Sequence, residues 1–113
     1  MGRKMRIKQG RDFSRLKTQG RRMTCGLFIA NWLVLPPEST SRLGIITTKK
    51  LGNAVVRARA RRLLREAFRL HQFDLKQPVD LVLVAQSRMV GKSYRDIDEA
   101  FMLMLKKTGL LLS

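Results

Sequence analysis

Residues 49–70 read K-K-L-G-N-A-V-V-R-A-R-A-R-R-L-L-R-E-A-F-R-L. Wound as an α-helix of about 3.6 residues per turn, the stretch from Ala54 onward sorts into two arcs. Val56, Ala60, Leu63, Leu64, Ala67, Phe68 and Leu70 gather on one side, and Arg57, Arg59, Arg61, Arg62, Arg65 and Arg69 on the other. An apolar stripe of that width must be covered by a sheet or another helix. The spacing therefore predicts a helix over 54–70 with a cationic outer face. Arg57, Arg61, Arg65 and Arg69 recur every fourth residue, where like charges repel by about a few tenths of a kcal/mol per pair. Glu66 is the single acid within the helix to offset them. A solvated polar face is the ordinary reading of a charged helix side. So many guanidinium groups against one carboxylate instead call for an external anion. Their planar forks suit bidentate contact with phosphate and stacking on bases.

Ahead of this helix, Gly52 permits a tight turn and Asn53 takes the capping position. Lys49 and Lys50 carry the charge onto the turn, beside helix N-terminal N–H groups that attract phosphate. For Gly52 and Asn53, plain turn and cap roles stand level with direct contact to a ligand.

The rest of the chain agrees with a polyanionic partner. Its 113 residues hold 24 Lys and Arg against 8 Asp and Glu, a formal charge of +16. Self-repulsion on that scale is relieved by nucleic acid more often than by any other partner, although an anionic membrane would also serve. One domain over residues 1–113 accounts for the length, with residues 1–8 as a flexible basic arm. The longest apolar stretch, Leu27 to Leu35, is broken by Asn31 and is too short to span a membrane. The basic N-terminus lacks the apolar segment of a signal peptide, and Arg6 spoils a myristoylation pattern after Gly2. A single cysteine, Cys25, fits a reducing compartment. The expected location is the cytoplasm, with no membrane association.

Working outward, Asp12 to Gln19 reads as a short helix ended by Gly20, with Phe13 and Leu16 facing inward. Cys25 to Leu35 reads as a strand stopped by Pro36-Pro37. Phe28, Ala30, Trp32 and Val34 share one face of it, and Leu27, Ile29, Asn31 and Leu33 the other. The asparagine suggests that this second face is not dry. A loop over 38–41 leads to a strand over 42–48, expected to pair hairpin-like with its predecessor. Val79 to Ala85 is a further strand. The last helix runs from Tyr94 to Lys107 with Ser93 as its N-cap and Tyr94, Ile97, Phe101, Met104 and Leu105 inward. Helices laid on a small sheet make an α+β sandwich.

Groups able to do covalent chemistry are scarce. His71, the sole histidine, ends the arginine helix and reads as a partner of its dipole rather than a base. Cys25 has no histidine near it in sequence and reads as a packed small residue. Asp96, Asp98 and Glu99 are ordinary acids for a first helical turn. No zinc spacing or phosphate-cradling glycine loop occurs. Phe28 and Trp32 read as core ahead of base platforms; for Phe13 the two roles stand level.

At the arginine segment the sequence resembles the bacterial ribonuclease P protein family, whose motif has the form K-K-x-G-x-A-V-x-R-N-R-x-K-R-x-x-R-x-x-F. The matching positions are Lys49, Lys50, Gly52, Ala54, Val55, Arg57, Arg59, Arg61, Arg62, Arg65 and Phe68. Asp12-Phe13 and Gly20 resemble the family's opening, and R-L-G-I-I-T-T before the lysines matches as well. The resemblance implies a two-layer α/β sandwich of order α-β-β-β-α-β-α. Its four-stranded sheet would have a left-handed βαβ crossover, similar to a domain of a ribosomal protein. It implies a protein subunit that binds a catalytic RNA and the 5′ leader of precursor tRNA, assisting Mg²⁺-dependent endonucleolytic removal of the leader. The Mg²⁺ would be RNA-bound, with no protein site, no catalytic protein residue and no obligate protein partner. Lys49, Lys50, Asn53, Arg57, Arg59, Arg61, Arg62 and Arg65 would contact RNA, and Phe13, Lys17 and Asn31 would line the leader cleft.

Two departures stand out. Ala58 replaces the family's central Asn, and Lys17 and Asn31 occupy cleft positions where relatives often carry aromatics. Each missing platform weakens base stacking by about 1–3 kcal/mol. The chief rival is a structural ribosomal protein. A DNA-reading regulator is disfavoured by the absence of Asn or Gln on the cationic face. A membrane-surface helix is disfavoured by an Ala-containing apolar side flanked by strands that need covering.

Overall fold

The computed structural model describes Leu16 and residues 19–112. Four strands, β1 (Arg21–Thr24), β2 (Phe28–Val34), β3 (Arg42–Ile46) and β4 (Val79–Ala85), form one sheet in the order β1-β2-β4-β3. Two helices, α1 (Ala54–His71) and α2 (Tyr94–Thr108), complete the sandwich. Leu16 and Gln19 carry helical backbone, while most of the helix expected over 12–19, Phe13 and Lys17 included, lies outside the described residues, as does the 1–8 arm.

Alternation in the strands decides the layers. Phe28, Ala30 and Trp32 of β2 and Val79, Leu81, Leu83 and Ala85 of β4 are buried on one face. There they meet Ala60, Leu63, Leu64, Ala67 and Phe68 of α1 and Ile97, Phe101, Met104 and Leu105 of α2 in one core. On the opposite face Leu16 and Val82 form a small second cluster with Leu33. Gly20 ends the first helical segment because only a bare Cα fits: a Cβ there would stand 2.6 Å from the Leu16 carbonyl oxygen and 2.7 Å from that of Trp32.

The expected pairing of the early strands is wrong. β3 does not pair with β2; it lies parallel to β4, which is inserted between them antiparallel to β2. The chain leaves β3, crosses through α1 and returns as β4, a βαβ unit. The 36–41 segment is therefore a crossover and not a hairpin turn. The single strand expected over 25–35 is shorter and belongs to a real hairpin with β1, closed where the Cys25 N–H donates to the Phe28 carbonyl at 2.8 Å. Arg21–Thr24 escaped the reading from patterning because R-R-M-T carries no alternation of apolar residues. Strand β3 ends at Ile46, two residues short of the expected Thr48. Leu70, placed on the inward arc, is 48% exposed, since it stands at the edge of that arc and not at its centre.

Helix α2 begins at Ser93 with a reciprocal capping box: the Ser93 side chain accepts the Asp96 N–H, and the Asp96 carboxylate accepts the Ser93 N–H. That engagement, with Ser93 holding the carboxyl below its usual range, explains an acid in the first turn without a metal.

Candidate nucleic-acid interface

Helix α1 starts where the chain has no freedom to start elsewhere. A turn of 3-10 helix, Lys49–Leu51, buries Leu51 and leaves Lys49 and Lys50 exposed. Gly52 then adopts φ 147°, and a Cβ there would press to 3.0 Å on Val56. Asn53 follows as N-cap, its side-chain oxygen accepting the Val56 N–H at 3.0 Å. The two lysines are thereby held on the turn that feeds the helix N-terminus.

Along α1, Arg59, Arg62, Arg65 and Arg69 are exposed, and Arg57 and Arg61 are half-buried along the flank facing β3. Arg61 Nη1 donates to the Thr47 hydroxyl at 2.9 Å, and Arg57 Nε reaches the Asn53 carbonyl at 3.4 Å. These bonds orient two guanidinium groups without neutralising them. Arg69 is the exception in charge: its fork meets Glu66 at 3.0 and 2.5 Å, lowering the Glu66 carboxyl below its usual range. Among the described residues no carboxylate comes within ion-pair reach of Arg57, Arg59, Arg61, Arg62 or Arg65. Ala58 is exposed between Arg57 and Arg59, so the departure from the motif lies on the cationic surface itself.

On the far face of the sheet a groove of about 510 Å³ runs between Leu16 and Arg22, with Ile29, Asn31, Ile46, Val82 and Val84 as its other walls and floor. Asn31 is half-buried there, and its amide reaches the Val82 carbonyl at 3.5 Å. The alternation of β2 pointed to this face through Asn31. Arg22 was missed because β1 was missed: the register sets it directly across from Asn31, on the same side of the sheet. Trp32 and Phe28, by contrast, are core side chains.

The groups considered for covalent chemistry are occupied. His71 lies between Asp74 and Asp98. Cys25 is half-buried, and burial pushes its thiol pKa up, away from the thiolate.

A mixed four-stranded sheet carrying a guanidinium-faced helix on one side and, on the other, a largely aliphatic groove marked by Asn31 and Arg22 defines a class, the basic α+β sandwich that binds RNA. Within it, residues 1–109 match the family model for Ribonuclease P, and the chain belongs to that family. The ribonuclease P protein component of Clostridium novyi (strain NT) is 35% identical over 108 residues, covering 93% of this chain and 94% of the relative. That of Syntrophomonas wolfei is 33% identical over 110 residues, covering 97% and 92%. Among solved structures, the Staphylococcus aureus RNase P protein superposes with a TM-score of 0.84 at 28% identity, over 95% of this chain and 97% of the other. The family is that of an endoribonuclease subunit, and the ribosomal-protein alternative is not favoured.

Proposed function

We propose that this subunit is noncatalytic and works by bringing two polyanions together. Arg57, Arg59, Arg61, Arg62 and Arg65, with Lys49 and Lys50, neutralise phosphates of the ribonuclease P RNA. The groove floored by Asn31, together with Phe13 and Lys17, receives the single-stranded 5′ leader of precursor tRNA. The observation that carries this reading is the guanidinium face of α1, on which Arg57, Arg59, Arg61, Arg62 and Arg65 meet no carboxylate among the described residues. Asn53 joins the interface through its position at the helix N-terminus, where N–H groups favour a phosphate.

Mg²⁺ belongs to the RNA in this reading. Six of the seven described carboxylates are engaged by the protein itself: Asp74 and Asp98 hold His71, Asp80 holds Arg42, Glu66 holds Arg69, Asp96 caps α2, and Glu99 pairs with Arg95, while Glu38 is exposed in the 36–41 segment. Among the described residues no three potential metal ligands stand together. Cation-rich protein surface instead lowers the repulsion that Mg²⁺ must otherwise screen. No described helix is long and apolar enough to cross a membrane; the cytoplasm, where the proposed RNA partners reside, is the setting this reading assigns.

The test is to mix the protein with a ribonuclease P RNA and precursor tRNA at low Mg²⁺. Stimulated cleavage is expected. Failure to stimulate, where another member of the family succeeds with the same RNA, refutes the proposal.

A further inference from the structure

Two arginines of this fold are gripped by carboxylates at two points, and one is held by a hydroxyl. Arg42 closes its Nε and Nη2 on the buried Asp80 at 2.8 and 2.7 Å, and Arg69 closes the same two atoms on Glu66. Arg61 instead donates from Nη1 to an uncharged group, the Thr47 hydroxyl, at 2.9 Å. Thr47 directly follows β3 and stands 14 residues before Arg61, so the bond crosses from the end of a strand to the flank of α1. Both residues are half-buried.

No other arginine of the cationic face is anchored in this way. Arg57 reaches only the Asn53 carbonyl one turn back, at 3.4 Å, beyond the usual range for N–H···O. Arg59, Arg62 and Arg65 make no side-chain hydrogen bond among the described residues. Their guanidinium groups are held by the main chain alone.

The chemistry of the anchor is informative. A carboxylate beside Arg61 would hold it more tightly and cancel its charge, as Glu66 does for Arg69. A hydroxyl holds the group and leaves the charge intact. Fastening α1 to the sheet does not require this bond, because Leu63, Leu64, Ala67 and Phe68 already bury the helix in the core. What the bond fixes is direction. It occupies Nη1 and leaves open the Nε–Nη2 edge, the edge that Arg42 turns on Asp80. Two parallel N–H donors in that fork match two oxygens of one phosphate. A free arginine loses rotamer freedom on making such a contact, whereas one already held loses less.

We infer that Thr47 is a positioning residue for RNA binding: it presets Arg61 so that the open Nε–Nη2 edge takes one phosphate of the ribonuclease P RNA side-on. Arg61 makes the contact, and Thr47 acts through it. The inference rests on the proposed binding of that RNA by α1. It adds that the arginines are not equivalent: Arg61 is a prepared fork, while Arg59, Arg62 and Arg65 supply charge.

Affinity of the full chain for ribonuclease P RNA is measured across a salt series, with thermal melting of each variant. Thr47→Val keeps the size of the side chain and removes the hydroxyl. It should weaken binding about three- to tenfold through lost preorganisation, with the salt slope unchanged because Arg61 keeps its charge. Thr47→Ser should restore binding. Arg61→Lys should keep the slope and lose affinity as Thr47→Val does, because an ammonium has no fork. Arg61→Ala should lower the slope by about 0.7–0.9, the share of one phosphate. Adding Thr47→Val to Arg61→Ala should then change nothing further, and every variant should melt close to the unmodified chain. Three outcomes overturn the inference: unchanged affinity in Thr47→Val, a further loss when it is added to Arg61→Ala, or affinity losses that track falls in melting temperature. Arg59→Ala with Arg62→Ala separates the two levels. If that pair weakens RNA binding and Thr47→Val does not, only the positioning role fails. If the pair has no effect, the arginine face fails as the RNA surface, and the positioning role fails with it.

Discussion

His71, the last residue of α1, holds Asp98 of α2 by its Nε2 at 2.5 Å, and its Nδ1 lies 3.1 Å from Asp74 in the turn that follows. The ring also stacks on Phe101, with centroids 6.0 Å apart and planes 25° from parallel. A residue read from sequence as a dipole partner is therefore also a clamp between the two helices. Tyr94 donates to the same Asp98 oxygen at 3.2 Å; burial and the nearby carboxylate push its phenol pKa up to about 12.

Burial alone would lower the His71 pKa, but hydrogen bonds and charge from Asp74 and Asp98 outweigh it, and the net shift is upward. A raised folded value means the protonated clamp stabilises fully below the unfolded value of about 6.5. That stabilisation is lost as pH rises through the higher folded value. The melting temperature should fall over this window in the unmodified chain and lack the step in His71→Gln. Parallel melting profiles for the two proteins would count against the clamp.

Asp80 is 2% exposed and is gripped by Arg42 through two bonds, Nε to Oδ1 at 2.8 Å and Nη2 to Oδ2 at 2.7 Å. Removing the guanidinium leaves a buried carboxylate unpaired, at a cost of about 3 kcal/mol or more. Arg42→Met should show that loss in denaturant unfolding, and adding Asp80→Leu should recover much of it. A double variant less stable than the single one would contradict the pairing argument.

The start of α1 makes a different demand. Gly52→Ala forces a side chain onto φ 147° and against Val56, an expected loss of about 1–3 kcal/mol. Asn53→Ala removes the cap for about 1 kcal/mol. Both should lower thermal stability as well as RNA affinity. Unchanged melting in either protein would show that the turn tolerates another conformation.

Ala at Arg59, Arg62 and Arg65 should behave in the opposite way. These side chains make no carboxylate pair among the described residues, so stability should move by no more than about 0.5 kcal/mol per site. The logarithmic salt dependence of RNA binding should instead become shallower by about 0.7–0.9 for each phosphate that is no longer neutralised. A salt slope equal to that of the unmodified chain would remove these arginines from the interface.

Much of this protein is legible in its local sequence. The limits of α1 and α2, the buried faces of both helices, the two faces of β2 and the cationic arc all follow from period and capping, which are local properties of the chain. Charge excess and the spacing of the arginine segment sufficed for the family resemblance. The partner of each strand did not follow. R-R-M-T at β1 has no alternation to mark it, and nothing local in R-L-G-I-I says that β3 pairs with β4, more than thirty residues on (Ile45 with Leu83). Arg22 reached the Asn31 groove, and Arg21 the side of Trp32, only through that register. Sequence determines what each segment can bury, because burial preference is written in a few consecutive side chains. Which segments meet depends on competition among distant partners for one core, and only the assembled chain decides that.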